Sequence, residues 1–408
     1  MQHVFIVGAK SLGNYGGYET FVNKLTEYHR DNKDIRYHIA CKSGGYGSAD
    51  RNVMDGVRTI NDSEYIYNNA HCFEIKVPDI GPASAIYYDI ESLKFSCEYI
   101  EKNKIESPVV YILACRIGPF MEYYSRKIHS LGGKVYINPD GHEWKRSKWP
   151  LPVKLYWKLS EKLMVKNADL VICDSINIEK YINEAYSGFS PKTTYISYGS
   201  ETGCEVRSEY DELFFDWCRE KDIRPAGYYL IVGRFVPENN YETIIREFMS
   251  SATEKKLIVI TNDNHKLYKK LDKVLGFSKD ERIIFAGTVY NQHLLMKIRK
   301  NAWGYIHGHE VGGTNPSLLE ALGNTALNLV YDVNFNREVA RDSALYWNKN
   351  NSNLAQLIDF ADRMSADEIL SLGLKAKKRI EKYYSWEYIS ENYRLLFSNT
   401  EDRQLVIT

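Results

Sequence analysis

One rhythm limits what this chain can fold into: short apolar runs alternate with longer amphipathic stretches, and the sequence plays that alternation twice. Residues 3–7 read as a strand, 18–30 as a helix with Phe21, Val22, Leu25 and Tyr28 on one face, and 35–41 as a second strand. Further strands are predicted at 71–77, 109–113, 134–138, 169–173 and 193–197, separated by helices at 83–103, 120–131, 152–167 and 177–186. The pattern breaks over 199–227 into Gly, Ser, Glu and Pro around one aromatic segment, which predicts a linker. It restarts with strands at 228–232, 256–261, 282–286, 304–307 and 326–330 and helices at 241–249, 266–275 and 291–301, then closes on helices at 367–384 and 386–397. Such alternation implies parallel sheets covered on both faces, with ligand loops at the carboxyl ends of the strands. The expected class is therefore α/β, with two Rossmann-like domains facing across a cleft, 1–198 and 228–385, joined by the linker and followed by a helix and tail at 386–408. The polar segment 42–69, ordered only around 53–60, is expected to run over the active-site face.

Composition excludes several functions. The chain has 53 Lys and Arg against 53 Asp and Glu, so no nucleic-acid partner held by bulk charge is expected. Cys41, Cys72, Cys97, Cys115, Cys173, Cys204 and Cys218 form no C-x-x-C pair and sit mostly in apolar runs, as reduced core thiols do. No basic segment with a long apolar run precedes the first strand, and no run is long enough to span a bilayer, so a cytoplasmic protein without signal peptide is expected. The 32 tyrosines have no explanation in composition alone.

Candidate chemistry lies in the loops. Between the strand at 304–307 and a helix opened by Pro316 runs a loop with Gly308, Gly312 and Gly313, where glycines let backbone N–H groups approach a phosphate at the positive end of a helix. Glu320, one turn in, is placed to accept from a ribose diol; equally, this is an ordinary strand–turn–helix and Glu320 a solvated residue. The loop over 8–20 carries Gly16-Gly17 ahead of a helix, either a ligand cradle or a mobile surface loop. At the end of the strand over 134–138, Asp140 and Glu143 are candidates for acid/base work or a substrate clamp, unless Asp140-Gly141 is simply a turn. Arg234, just after the strand over 228–232, offers a planar fork to a diphosphate or to a surface ion pair. The helix over 152–167 bears Lys154, Lys158, Lys162 and Lys166 at four-residue spacing beside Leu155, Leu159 and Leu163, flanked by Trp144, Trp149, Tyr156 and Trp157. This is either a solvated face or a basic, aromatic-edged membrane contact.

Nearly the whole length resembles the GT-B glycosyltransferases of the large retaining family that includes sucrose synthases and bacterial mannosyltransferases. The likeness is carried by Gly16-Gly17, by Glu161 through Ala168-Asp169-Leu-Val-Ile-Cys-Asp-Ser175, by Val232-Gly-Arg234, and by Leu319-Glu320-Ala-Leu-Gly323. Tyr384-Ser-Trp-Glu387 resembles the segment after which that family's last helix crosses back to the first domain. More narrowly, Tyr15-Gly-Gly-Tyr-Glu-Thr20, Asp140-Gly-His-Glu-Trp-Lys-Arg-Ser-Lys-Trp149 and Gly312-Gly-Thr-Asn-Pro-Ser317 are similar to rhamnosyltransferases of streptococcal capsule and cell-wall polysaccharide pathways.

The resemblance implies a transferase without metal or other cofactor. Its donor contacts would come from Gly16, Gly17, Arg234, Asn239, Gly313, Thr314, Asn315, Pro316, Ser317 and Glu320. Asp140 and Arg234 would act on the reaction, with Arg234 and the N–H groups of Asn315 to Ser317 stabilising the leaving diphosphate. Acceptor contacts would come from Glu19, Asn138, His142, Trp144, Lys145 and Arg146, and membrane contacts from Lys154, Lys158 and Lys162. Two positions depart from the family: Gly312 stands where its pattern has a first Glu, and Asn239 where it has a Lys. The implied activity is transfer of L-rhamnose from a dTDP-sugar donor to a lipid-diphosphate-linked saccharide, by an enzyme peripheral to the inner face of the cell membrane. The rivals are a transferase using another donor such as UDP-glucose, a nucleotide-sugar epimerase of the same fold, and a non-catalytic scaffold.

Overall fold

The computed structural model describes residues 1–13, 16–44, 47–48, 50–51, 54–201 and 209–398. It divides into two compact units, one holding Met1–Gly199 together with the segment from Trp386, the other Ser200–Ser385.

The first unit runs β1 (Gln2–Val7), α1 (Gly17–Tyr28), β2 (Ile35–Ser43), β3 (Arg58–Thr59), β4 (Glu64–Tyr67), β5 (Ala70–Lys76), α2 (Ser84–Asn103), β6 (Val109–Leu113), α3 (Gly118–Ser130), β7 (Lys134–Asn138), α4 (Leu151–Lys166), β8 (Leu170–Cys173), α5 (Ile176–Ala185) and β9 (Thr193–Tyr195). Its sheet has the order β3-β4-β5-β2-β1-β6-β7-β8-β9. Alternation along β1 shows why both faces are covered. Val4 and Ile6 pack with Phe21, Val22 and Leu25 of α1 and with Trp386, Ile389 and Tyr393 of the C-terminal helix, while Phe5 and Val7 pack with Leu93 and Cys97 of α2 and Met121 of α3. All four β1 side chains are fully buried, each worth roughly 1.5–3 kcal/mol relative to exposure.

Within the segment 42–69, expected as an excursion over the active-site face, Gly47 and Met54 lie against Lys10 and Gly13 of the first loop, and residues 45–46, 49 and 52–53 lie outside the described residues. Residues 58–67 extend the sheet edge, with β3–β4 and β4–β5 both antiparallel. Tyr67 pairs with Ala70 across Asn68-Asn69, whose φ values of 49° and 58° give the two left-handed residues of a tight hairpin turn. On the same sheet, His3 Nδ1 meets His38 Nε2 at 2.9 Å, His38 Nδ1 meets His71 Nδ1 at 2.9 Å, and His71 Nε2 meets Glu64 Oε2 at 2.7 Å. An ionised Glu64 only accepts, so His71 Nε2 donates; with three neutral rings, His38 Nδ1 then donates to His71 and His3 Nδ1 to His38. Burial, reinforced by His71, His3 and Arg36, pushes the His38 imidazole down to about 2.

The second unit runs α6 (Glu209–Glu220), β10 (Tyr228–Val232), α7 (Tyr241–Ser250), β11 (Lys256–Ile260), α8 (His265–Leu275), β12 (Ile283–Gly287), α9 (Gln292–Lys300), β13 (Gly304–His307), α10 (Pro316–Asn324), β14 (Asn328–Tyr331), α11 (Asn334–Ala340), β15 (Leu345–Trp347), α12 (Asn353–Ala361) and α13 (Ala366–Tyr383). Its parallel sheet has the order β12-β11-β10-β13-β14-β15. Part of the stretch expected as a linker is helix α6. Phe214, Trp217 and Cys218, at helical spacing, bury against Leu294, Leu295 and Ile298 of α9. Cys204 and residues 202–208 lie outside the described residues, as does Tyr15 of the first-loop motif. The remaining six cysteines are free and buried.

After α13 the chain returns to the first unit as α14 (Trp386–Ser398). Gly199 makes room for this: a Cβ there would come within 2.4 Å of the Trp386 ring. The tyrosines also find a use. Tyr88, Tyr156, Tyr228, Tyr241 and Tyr305 donate to the carbonyls of Ala9, Arg116, Ile298, Gly233 and Val232, tying strand and loop ends that Phe would leave open. Among the described residues no helix is long and apolar enough to cross a membrane.

Candidate functional site

Each sheet has one place where its winding reverses. In the second unit it lies between β10 and β13, where ligands of doubly wound sheets collect at the carboxyl ends. Val232-Gly233-Arg234 leaves β10 and Gly308-His309-Glu310 leaves β13. Close approach fixes Gly308, since a Cβ would fall 2.3 Å from the Asn239 carbonyl. Asn240 adopts φ 55° and donates to Gly308 O at 2.8 Å and Glu310 Oε2 at 3.1 Å; Lys349 also pairs with Glu310 at 2.5 Å. Asn239, where a Lys was expected by resemblance, is engaged within its own loop, donating to Arg234 O at 2.7 Å and meeting His309 Nδ1 at 2.7 Å. These bonds brace both loops without using the Arg234 side chain. Its side chain is exposed and has no ion-pair partner among the described residues, which leaves the whole guanidinium for a ligand.

The start of α10 needs a correction. Asn315 caps it by accepting from Ser317 N at 2.9 Å, and Pro316 has no N–H, so of the three groups expected to face a leaving diphosphate only that of Asn315 remains. Ser317 Oγ is tied to Val232 O and to Tyr305 Oη, both at 2.8 Å, clamping the helix start onto the end of β10. Gly313 and Thr314 are buried beside this cap, and Gly312 has φ 132°. Glu320 is not merely solvated: it pairs at 2.5 Å with Arg299 of α9, whose side chain is only 4 % exposed. His307 is buried at the end of β13, and burial, with His309 adding to it, pushes its imidazole down to about 3.

The first unit reverses between β1 and β6. Gly8 has φ 110°, and a Cβ there would lie 2.4 Å from Leu113 O, so the two strand ends can touch only through glycine. Three non-glycine residues near the ends of β6 and β7 also have left-handed backbones, Ala114, Asp140 and His142, and such strain gathers at functional loops. The sequence reading missed the pair that anchors this place. Arg116 Nη1 donates to Asp89 Oδ2 at 3.1 Å and to Gly8 O at 3.2 Å, and Asp89 is fully buried. Burial works against the Arg116 charge, but Asp89, Tyr18 and Asp140 outweigh it and raise its pKa. The readable signal was an acidic residue on the buried stripe of α2, among Tyr88, Ser92, Leu93 and Ser96.

The expected acceptor residues divide. Asn138 is buried and accepts from Asp140 N at 2.8 Å, while Glu19 accepts from Lys10 N at 2.9 Å; both brace loops. Gly16 is the extended N-cap of α1, and Gly17 is exposed with open space where a Cβ would point. Glu143 binds Arg146, Lys148 and Trp149 Nε1, so Arg146 already has a carboxylate. Asp140 is half-buried, accepting from Gly141 N at 2.9 Å. His142 lies against Tyr181, the ring centroids 4.2 Å apart and the planes tilted by 44°, and burial, then Lys145 and Lys158, pushes it down to about 4. Trp144 lies beneath Lys145 at 5.2 Å and Lys158 at 4.6 Å. Lys158, expected on a membrane-facing stripe, therefore turns inward, toward the Tyr181 hydroxyl and toward Glu161, which is buried and also accepts from Tyr186.

Residues 1–201 match a family described as "Domain of unknown function (DUF1972)". No curated protein matches the sequence. Among solved structures, a glycosyltransferase from Rickettsia africae ESF-5 is similar at a TM-score of 0.71 and 14 % identity, covering 97 % of each chain. The sucrose-phosphate synthase from Thermosynechococcus elongatus is similar at 0.71 and 15 % identity, over 97 % of this chain and 99 % of that one. Anabaena HepE, in complex with UDP and glucose, is similar at 0.68 and 12 % identity, over 98 % and 99 %. Identities this low speak to architecture, and with the two reversing sheets and the returning α14 they establish that the chain has the GT-B fold.

Proposed function

We propose that the chain is a retaining glycosyltransferase that moves L-rhamnose from dTDP-rhamnose to a lipid-diphosphate-linked saccharide, peripheral to the inner face of the cell membrane, in cell-surface polysaccharide synthesis. The observation that carries the transferase reading is the exposed, unpaired guanidinium of Arg234 at the β10–β13 reversal, beside braced loops and the capped start of α10. A similar fold holds UDP and glucose in HepE, which supports a nucleotide-sugar donor. The rhamnosyl assignment rests on the motif resemblance and on Gly312, which leaves out a carboxylate that would hold the hydroxyls of other hexoses.

In this reading Arg234 neutralises the diphosphate as the bond from the anomeric carbon to its oxygen breaks. The acceptor oxygen bonds to that carbon on the same face, and its proton passes to the departing phosphate oxygen. Asp140 contacts the transferred sugar or the incoming hydroxyl. No metal takes part. The test is donor consumption, with dTDP-rhamnose or UDP-glucose, in the presence and absence of a lipid-diphosphate-linked saccharide. Consumption of dTDP-rhamnose only with the acceptor is expected, and Asp140→Asn, which tolerates the left-handed backbone, should lower turnover more than donor affinity. Conversion of donor without acceptor would mark an epimerase, preference for UDP-glucose would overturn the rhamnosyl assignment, and no turnover or nucleotide binding would leave a scaffold.

A further inference from the structure

The outer surface of α4 is divided along its axis. Its exposed residues are Leu151, Pro152, Leu155, Leu159, Lys162 and Lys166, and at 3.6 residues per turn they share an arc of about 100°. Within that arc the first part is apolar, with Leu151, Leu155 and Leu159 exposed by 69 %, 62 % and 51 %, over a length of about 12 Å. Lys162 and Lys166 follow on the same arc, about 16 to 22 Å from Leu151. Helix α3 lies alongside the second half of α4, Gly118 donating to Ser160 Oγ at 2.7 Å and Ser125 Oγ to Asn167 O at 2.9 Å, so the Leu151–Leu159 edge projects beyond its start.

Charge selects the occupant of this surface. Residues 144–167 hold seven Lys and Arg and one acidic residue, Glu161, which is buried against Tyr181, Tyr186 and Lys158. The exposed face of α4 thus offers leucine and lysine and no carboxylate. A second copy would set this face against itself, and in either helix direction Lys162 and Lys166 would lose water with no anion to meet. A bilayer with anionic headgroups satisfies both halves at once: leucines enter the acyl boundary while lysines stay among phosphates.

We infer that the first unit docks on an anionic lipid surface through the tip of α4, tilted so that the Leu151–Leu155–Leu159 edge enters the membrane and Lys162 and Lys166 rest at headgroup level. This rests on the proposed use of a lipid-linked acceptor, and it replaces a flat contact along a lysine stripe, because Lys158 is engaged internally. The contact has two parts, one screened by salt and one not.

The test is co-sedimentation of the full chain with vesicles of phosphatidylcholine and phosphatidylglycerol at low and high salt. Wild type should bind at low salt and keep a measurable fraction at high salt. The triple variant L151S/L155S/L159S, altered only at exposed positions, should lose the salt-resistant fraction and bind at least tenfold more weakly at low salt. K162E/K166E should lose most of the salt-sensitive part. Nucleotide binding, measured in each variant, should be unchanged, so its absence in wild type would count against the transferase reading and not against docking. The inference is overturned if wild type stays in the supernatant, if the leucine variant sediments as wild type does, or if the leucine change abolishes a dimer in solution.

Discussion

The two winding reversals solve different problems. At the β10–β13 reversal most of the bracing is done by neutral groups, Asn239, Asn240, Asn315, Ser317 and Tyr305, the Glu310–Lys349 pair adds to it, and the charge of Arg234 is left exposed. At the β1–β6 reversal charge is itself the brace, with the Arg116–Asp89 pair holding the ends of both strands to α2. In the proposed reading, the reversal that binds an anion keeps its cation unspent. A site that must hold strained loops around Asp140 and His142 spends its cation on the frame.

Arginine exchange breaks the comparison most sharply. Arg116→Met leaves the buried Asp89 carboxyl without its partner and should cost about 3–5 kcal/mol of stability in denaturant melts. Arg234→Met should leave the melts unchanged and weaken nucleotide binding by about 1.5–3 kcal/mol in calorimetry. If both variants unfold early, or both only bind less, the two reversals do not differ as described.

Glu320 tests how cleanly the second unit separates binding from folding. Because Arg299 is nearly enclosed, Glu320→Ala should destabilise the ligand-free protein by about 1–3 kcal/mol. Wild-type melting with weakened nucleotide binding would instead make Glu320 a pure ligand contact.

Acid should sharpen the contrast through histidines that burial holds neutral. A histidine held neutral in the fold but titrating near 6.5 when unfolded contributes stability above that pH and loses it as pH falls, by about 1.4 kcal/mol per pH unit. His38, held down to about 2 by burial, by His71 and His3 and by Arg36, does this in the first unit, and His307, held to about 3, in the second. Burial also lowers His3 and His71, so the first unit should weaken faster between pH 6.5 and 5. NMR signals of His38 and His307 that stay at their neutral positions to pH 5, with melts that shift downward, are the expected result; a flat stability profile would contradict it.

The alternation of apolar runs made most of both sheets legible, because a buried parallel strand and an amphipathic helix leave different periods. What escaped were elements whose signal is non-local or weak. Strand β4 is four residues long and turns on Asn68-Asn69 where Gly would have announced a hairpin, and β15, α11 and α12 follow the last predicted strand without a strong period. In the candidate sites, residue type pointed to loops that lie at the two reversals but could not say which polar groups were already spent. Asn239, Asn138, Glu19 and Arg146 look available in sequence and are engaged in the fold. Arg116 and Asp89, 27 residues apart, showed only as an acidic residue on an apolar helix stripe. The lysine spacing of α4 was visible, yet the inward turn of Lys158 depends on Tyr181, on another helix.

The return of α14 to the first unit sets an order on synthesis. Trp386, Ile389, Tyr393 and Phe397 complete the face of the first sheet on which α1 lies, and the ribosome makes them only after the whole second unit. At about 5–20 residues per second the nascent chain waits tens of seconds with that apolar face open, while the second unit, contiguous in sequence, can close as it emerges. The 1–201 segment shared with other proteins is thus a stretch of sequence, short of the folding unit by one helix. Whatever guards that open face during translation must let go when α14 arrives.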